Sequence, residues 1–86
     1  MNEMEALKEE LKGQIIEQLN LEDFNVADIS DDMSLFGEGL GLDSIDALEL
    51  IVLLENNYGI KLTNPEEGKT VFVSINTMAD YISKNR

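Results

Sequence analysis

The hydroxyl of Ser44 lies between two carboxylates in the stretch Asp43-Ser44-Ile45-Asp46, just before a helical pattern of apolar residues. A serine that acts as a nucleophile needs a base to take up its proton. The chain has no histidine and no cysteine, and no serine is followed by a lysine three residues later. Neither a Ser-His-Asp triad nor a Ser-x-x-Lys arrangement can therefore form. The sequence predicts that Ser44 is an acceptor modified by a separate enzyme, and that the chain is not itself an enzyme.

The Asp-rich segment before Ser44 fits only part of a calcium-binding EF-hand loop. Asp28, Ser30 and Asp32 occupy positions one, three and five of such a loop. Position six, which needs glycine, is Met33, and position twelve, which needs glutamate, is Gly39. Without cysteine or histidine, no thiolate or imidazole cluster can bind zinc either. The sequence therefore predicts no metal site.

The helix that follows is expected to begin at Ser44, with Asp43 as its N-cap. The Asp43 carboxylate can accept a hydrogen bond from the backbone N–H of Asp46, and the Asp46 carboxylate can reach back, as in a capping box. In this register the hydroxyl of Ser44 is not needed by the backbone. In the alternative register Ser44 is the cap, and the helix occupies its hydroxyl.

Two apolar faces are expected on this helix, which the stop signal Asn56, Asn57 and Gly59 ends near residue 57. With about 100° per residue, the wider face is the expected core stripe. It consists of Ala47, Leu50, Ile51, Leu54 and Tyr58. The narrower face, here called the apolar strip, consists of Ile45, Leu48 and Val52 and is interleaved with Glu49, Glu55 and Asn56. It is either a docking surface for a partner or a second buried face covered by the preceding loop.

Three further helices are predicted from apolar spacing and capping residues. The first runs from about residue 2 to 20 with Asn2 as cap, and the last runs from Ile75 to Lys84 with Ser74 as cap. A short third helix opens at Pro65, although Gly68 and the β-branched residues after it weaken that prediction. The expected core stripes of the outer helices are Met4, Leu7, Leu11, Ile15 and Leu19, and Ile75, Met78, Ala79 and Ile82.

The connection over residues 21–42 is expected to be ordered, because its apolar residues can pack over a core and Gly37, Gly39 and Gly41 supply turns. The sequence thus predicts one all-α domain over residues 1–86. Its expected form is a small four-helix bundle with a long ordered loop between helices 1 and 2 and a short helix 3.

The charge of the chain is strongly acidic, with 18 acidic and six basic residues giving −12. Nucleic acid and anionic membranes are therefore excluded as partners. No Lys or Arg occurs between Lys12 and Lys61, whereas ten carboxylates occur from Glu22 to Glu55. Such a field favours encounter with basic protein patches, unless it serves only solubility. The lack of an apolar membrane span, of a signal peptide and of cysteine predicts a cytoplasmic protein.

The stretch "GLDSIDALELIVLLE" resembles the acyl carrier protein family, through Asp43-Ser44-Ile45-Asp46, Glu49-Leu50 and Leu54-Glu55. The upstream "LFGEGLG", the "NTMADYISKN" of the last helix and the order of elements extend the resemblance over nearly the whole chain. It implies that Ser44 bears 4′-phosphopantetheine, which a phosphopantetheinyl transferase attaches from coenzyme A as a phosphodiester. The thiol of that arm would carry acyl chains as thioesters between enzymes of fatty-acid, polyketide or related biosynthesis.

The resemblance also implies a recognition surface on the helix that starts at Ser44. Its carboxylates would face basic patches on acyl-transferring, ketosynthase or ligase enzymes, and its apolar strip would add contact area. The residues concerned are Asp43, Asp46, Glu49 and Glu55, with Ile45, Leu48 and Val52. A monomer is expected, and acylation is hypothesised to open the core. That opening would lie between Leu11, Ile15, Leu50, Leu54, Met78 and Ile82.

Several residues depart from the common fatty-acid carriers, namely Leu42, Ile45, Gly68 and the segment "TVFVSI". Because of these departures, a role in a dedicated secondary pathway remains an alternative to a role in primary fatty-acid synthesis. A peptidyl or D-alanyl carrier would share the same fold and serine. A plain interaction module, in which Ser44 is merely exposed or is a kinase site, is the alternative from another class.

Overall fold

The computed structural model describes residues 2–37, 39–62 and 65–85, and within them the protein is built from α-helices without a β-strand. The helices are α1 (Glu3–Leu19), α2 (Ser44–Tyr58), α3 (Pro65–Val71) and α4 (Ile75–Asn85). One 3₁₀ turn, at Val26–Asp28, lies in the loop between α1 and α2 and was not expected from the sequence. The all-α prediction, with its long loop and short third helix, is confirmed.

The helix ends follow the capping residues of the sequence. The Asn2 side chain accepts a hydrogen bond from the backbone N–H of Glu5 at 2.8 Å and starts α1. At α4, the backbone N–H of Thr77 donates to Ser74 Oγ, and the backbone N–H of Ser74 donates to Thr77 Oγ1. Both predicted caps are confirmed, because a cap depends on residues close in the sequence.

The short helix α3 forms despite Gly68 and the β-branched residues that oppose it. Val71 and Phe72, at its end, are both buried in the core. Burial of an apolar face contributes more to a short helix than intrinsic propensity does. Tertiary packing therefore decides the conformation of this segment.

The core is made by all four helices and by the long loop. Every residue of the α4 stripe is buried, and in α1 the middle of the stripe is buried while Met4 and Leu19 are partly exposed. In α2, Leu50 and Leu54 are fully buried as expected. Leu53 is fully buried too, although the sequence placed it on neither face.

The burial of Leu53 corrects the position of the predicted core face of α2. The chain that follows α2 adds Ile60 and Leu62 to the same core. The buried face of α2 is therefore displaced toward Leu53 relative to the predicted stripe. By contrast, Ala47, Ile51 and Tyr58, which were expected in the core, are only partly buried.

The long loop is fixed to the helices by polar contacts as well as by apolar packing. Lys12 Nζ on α1 lies 2.8 Å from Asp31 Oδ1 in the loop, and the Asp31 carbonyl accepts a hydrogen bond from the backbone N–H of Asn76 on α4. Further along, the backbone N–H of Leu35 donates to the carbonyl of Val73 at 3.0 Å. The loop thus joins α1 and α4 and holds the segment that leads into α2. None of the described helices has the length and apolar character needed to cross a bilayer.

Candidate functional site

The start of α2 has the geometry that leaves the Ser44 hydroxyl available. Asp43 has an extended backbone, and its Oδ1 accepts hydrogen bonds from the N–H groups of Ile45 and Asp46 at 3.0 and 3.2 Å. Asp46 Oδ2 in turn accepts from the Asp43 N–H at 3.0 Å. The capping box is therefore the predicted one, made by carboxylates only. Ser44 is the first helical residue, is exposed, and takes no part in the cap.

The segment before α2 is folded tightly enough to fix the position of Ser44. The backbone N–H of Leu40 donates to the Ser34 carbonyl, and that of Leu42 donates to the Leu35 carbonyl, both at 3.1 Å. Gly39 passes so close to Ser34 that a Cβ on this glycine would overlap the Ser34 carbonyl oxygen. Since Leu42 is also buried, Ser44 follows an anchored residue by only two positions. A reacting group is best positioned when its support is held by packing and hydrogen bonds.

A groove lies beside Ser44, between α2 and α3, with a volume of about 560 Å³. Ser34, Ser44 and Lys69 are its polar lining residues. The remaining lining residues are Phe36, Ala47, Leu48, Ile51, Gly68, Phe72 and Val73. The groove is therefore apolar along most of its walls, and Ser44 is one of its lining residues.

The groove lies outside the part of the core that was hypothesised to open on acylation. The six core residues expected to part around an acyl group are fully buried, and none of them lines the groove. The groove was missed because its lining comes from the long loop, from α2 and from residues 68–73, which are distant from one another in the sequence. The signals in the sequence were Gly68, which removes a side chain from the groove wall, and the exposed Val73 in the segment "TVFVSI".

The apolar strip of α2 faces solvent and is not covered by the loop. Ile45 is 69% exposed, Leu48 is 62% exposed and Val52 is 41% exposed. Of the two interpretations of this face, burial under the loop is wrong. Leu48 belongs to both the strip and the groove wall, so the two surfaces are continuous.

The four carboxylates expected on the recognition surface have unequal environments. Asp43 and Glu55 are exposed, whereas Asp46 and Glu49 are partly buried. Asp46 closes the cap, and Glu49 Oε2 accepts a hydrogen bond from Gln18 Nε2 on α1 at 2.8 Å. Asp46 and Glu49 thus contribute charge while also supporting the fold. Within the described residues, no cluster of three or more metal-ligating side chains is present.

This fold and site define a class of small helical domains that present one exposed serine at the start of a helix, beside an apolar groove. The sequence profile of the family described as "Phosphopantetheine attachment site" matches residues 9–82. A protein of Helicobacter pylori named "Acyl carrier protein" is 33% identical over 81 residues, which cover 94% of this chain and 96% of that protein. Proteins of the same name from Helicobacter acinonychis and Wolinella succinogenes are 35% and 31% identical over 81 residues, covering 94% of this chain and 96% and 99% of those proteins.

The chain belongs to the acyl carrier protein family. It is a non-catalytic carrier, and 4′-phosphopantetheine is its covalent prosthetic group. The described residues fit such an arm, because an exposed hydroxyl opens onto a groove with apolar walls and a lysine at its edge. A carrier of this kind interacts with a phosphopantetheinyl transferase and with acyl-handling enzymes.

Proposed function

We propose that Ser44 is the residue that bears 4′-phosphopantetheine, and that the protein carries acyl intermediates between enzymes of fatty-acid, polyketide or related biosynthesis. The supporting observation is the capping box of Asp43 and Asp46, which leaves the exposed Ser44 hydroxyl outside the helix cap. When bound, the arm supplies a thiol on which acyl groups are held as thioesters.

The other serines of the chain are poorer acceptors. Ser34 Oγ donates to the Phe36 carbonyl at 2.8 Å, and Ser74 is buried as the cap of α4. Ser30 and Ser83 are exposed, but neither lines the groove or starts a helix. Only at Ser44, within the described residues, do an exposed hydroxyl, a helix start and the groove coincide.

Attachment at Ser44 needs no base from this chain. The Ser44 oxygen would bond to the phosphorus of the phosphopantetheine half of coenzyme A, adenosine 3′,5′-bisphosphate would leave, and the transferase would take up the hydroxyl proton. The role of this chain is to present the oxygen on a fixed backbone. The capping box and the anchored Leu42 provide that support.

The recognition surface of this proposal is the exposed part of α2. Ile45, Leu48 and Val52 supply apolar contact, and Asp43, Asp46, Glu49 and Glu55 supply negative charge toward basic patches on the transferase, ketosynthase or ligase. Exposed ion pairs contribute only about 0–1 kcal/mol each. Docking would therefore be fast, weak and sensitive to salt, as a carrier that visits several enzymes requires.

The groove beside Ser44 is the proposed place for the start of an acyl chain. Its apolar walls can shelter such a chain from water without opening the fully buried core. Relatives that are named acyl carriers favour an acyl cargo over an amino acid. The proposal describes one carrier domain over residues 1–86 that acts as a cytoplasmic monomer, since a charge of −12 opposes self-association.

Incubation with coenzyme A and a promiscuous phosphopantetheinyl transferase tests the assignment. The expected result is a mass increase of one phosphopantetheine, lost in Ser44→Ala and kept in Ser83→Ala, which removes an exposed serine at the far end of α4. Modification of Ser44→Ala, or a gain of bare phosphate at Ser44 in cells with no arm, would contradict the proposal and favour an interaction module.

A further inference from the structure

The groove beside Ser44 has charged groups near only some of its walls, and membership of the family does not explain this distribution of charge. Its α2 side begins beside the carboxylates of Asp43 and Asp46, which form the cap. A phosphodiester on Ser44 would carry a negative charge next to both. Like charges repel, so the phosphate is disfavoured on the side of the α2 cap.

The opposite wall of the groove carries a positive charge. Lys69, in the last turn of α3, is the only basic residue among the lining residues that the structure describes. The other described lysines do not line the groove. The walls on α2 carry no charged lining residue and adjoin the capping carboxylates of Asp43 and Asp46, whereas the wall on α3 carries the ammonium group of Lys69.

We propose that Lys69 is a positioning residue for the prosthetic arm: its ammonium group binds the phosphodiester at Ser44 and directs the arm across the groove toward α3. This inference rests on the proposed attachment at Ser44. The lysine holds the charged start of the arm, and Phe72 and Val73 on the same wall offer apolar surface to the rest of the arm. A carrier must also release its arm to partner enzymes, and the exposure of Lys69 suits a reversible contact.

The strength of this contact is limited by solvent. Lys69 is exposed, so a contact that its ammonium makes within the chain is weak and exchanges readily. An exposed ion pair shifts a population by up to about five-fold, and salt reduces that shift. The arm would therefore favour the α3 side at low ionic strength and leave it at high ionic strength.

The absence of cysteine makes the test specific, because a maleimide nitroxide reacts only with the thiol of the attached arm. The modified protein is first checked by mass and by mapping the modified serine. Paramagnetic broadening of amide signals then gives the ratio of broadening at residues 68–73 to that at residues 45–48. The ³¹P chemical shift of the phosphodiester is recorded on the same samples.

The expected result is a ratio that falls by about two- to five-fold in Lys69→Gln, with a change in ³¹P shift, and that is restored by Lys69→Arg. Lys61→Gln removes the same charge from an exposed residue outside the groove and should leave both readouts unchanged. Raising the salt concentration from about 0.01 to 1 M should lower the broadening ratio in the unsubstituted protein. The same change should have a much smaller effect on the ratio in Lys69→Gln.

Equal ratios and ³¹P shifts in the unsubstituted protein and Lys69→Gln would overturn the inference while leaving the attachment at Ser44 intact. An equal effect of Lys61→Gln would also overturn it, because net charge would then be the cause. Failure of the proposed function gives a different result, since no mass increase, or one mapped to another serine, is seen before the nitroxide is attached.

Discussion

Lys12 Nζ lies 2.8 Å from Asp31 Oδ1, and this ion pair fastens the long loop to α1. Lys12 is only 7% exposed, whereas Glu9, its second acidic neighbour, is 3.6 Å away on the same helix. The hydrogen bond from Lys12 lowers the pKa of Asp31 against the opposing effect of burial. The same hydrogen bond raises the pKa of Lys12, again against burial. A largely buried ammonium group is therefore compensated mainly by the loop carboxylate of Asp31, with a smaller contribution from Glu9.

We expect this pair to make the stability of the protein depend on pH. Since the folded-state pKa of Asp31 is lowered, its contribution is present above the ordinary value of 3.8 and is lost as pH falls through the folded-state pKa. The raised pKa of Lys12 gives a contribution that is present below the ordinary 10.5 and is lost as pH rises through the folded-state pKa. At neutral pH, Asp31→Asn should reduce the free energy of unfolding by about 1 kcal/mol.

Urea denaturation at several pH values measures this effect. The difference between Asp31→Asn and the unsubstituted protein should shrink as the pH falls through the folded-state pKa of Asp31. Asp32→Asn changes the neighbouring exposed carboxylate and should have little effect at any pH. A pH-independent difference for Asp31→Asn would mean that the ion pair does not hold the loop.

The capping box makes it possible to separate the structural role of Asp43 from its charge. Asp43→Ala removes the acceptor for two N–H groups and should destabilise the protein by about 1 kcal/mol. Asp43→Asn keeps a good capping side chain but loses the charge, so it should stay near the original stability. Denaturation curves and modification rates at low and high salt measure the two roles.

For the modification rate, Asp43→Ala should remain slow at every salt concentration, because Ser44 loses its helical support. Asp43→Asn should be slower than the unsubstituted protein only at low salt, where charge steering matters. If both variants lose stability equally, the cap bond is not the source of the effect.

Gly39 and Gly37 are a matched pair for testing the turn before Ser44. A Cβ at Gly39 would overlap the Ser34 carbonyl oxygen, so Gly39→Ala must displace the backbone. Gly37 has φ of +68° and no atom within 4 Å of its Cβ position, so Gly37→Ala meets only the strain of that backbone region. We expect a loss of about 1 kcal/mol for Gly37→Ala and a larger loss, about 2–3 kcal/mol, for Gly39→Ala.

Hydrogen exchange measures which backbone amides lose protection and by how much. In Gly39→Ala the amides of Leu40 and Leu42, which are bonded within the turn, should exchange faster, while those in the middle of α1 stay protected. If both variants lose the same free energy of unfolding, the overlap of the new Cβ with the Ser34 carbonyl oxygen is relieved without a further loss of stability, which would contradict this prediction.

Features that depend on neighbouring residues could be predicted from the sequence. The caps at Asn2, Asp43 and Ser74 and the stripe of α4 each follow from residues within a few positions of one another. The exposed serine followed from the same local logic, since a carboxylate before it could take over the cap. The resemblance to a known family then connected that serine with a prosthetic group.

Features that join distant segments were not predictable in the same way. Leu53 is buried in a core cluster to which all four helices and the loop contribute, and the contact of Lys12 with Asp31 joins α1 to the loop. The groove is lined by residues of the loop, of α2 and of the segment 68–73, and it brings Lys69 to the same cavity as Ser44. Periodicity along one helix contains no information on which segment will cover it.

The apolar strip gives the sharpest test of recognition, because its members can be changed without disturbing the core. Leu48 is 62% exposed, so Leu48→Ala should change the free energy of unfolding by less than about 0.5 kcal/mol. If a transferase buries this side chain, the lost contact is worth about 1–2 kcal/mol, which corresponds to a roughly 5- to 30-fold rise in KM. Steady-state kinetics with the apo-protein as substrate measures it.

A matched control keeps this result specific. Val73→Ala shortens another exposed apolar side chain of the groove, but one that lies outside α2. Because the proposed docking surface is α2, Val73→Ala should leave KM within about two-fold, since a rim contact contributes little to binding. Equal KM values for Leu48→Ala and the unsubstituted protein would place transferase docking on a different face.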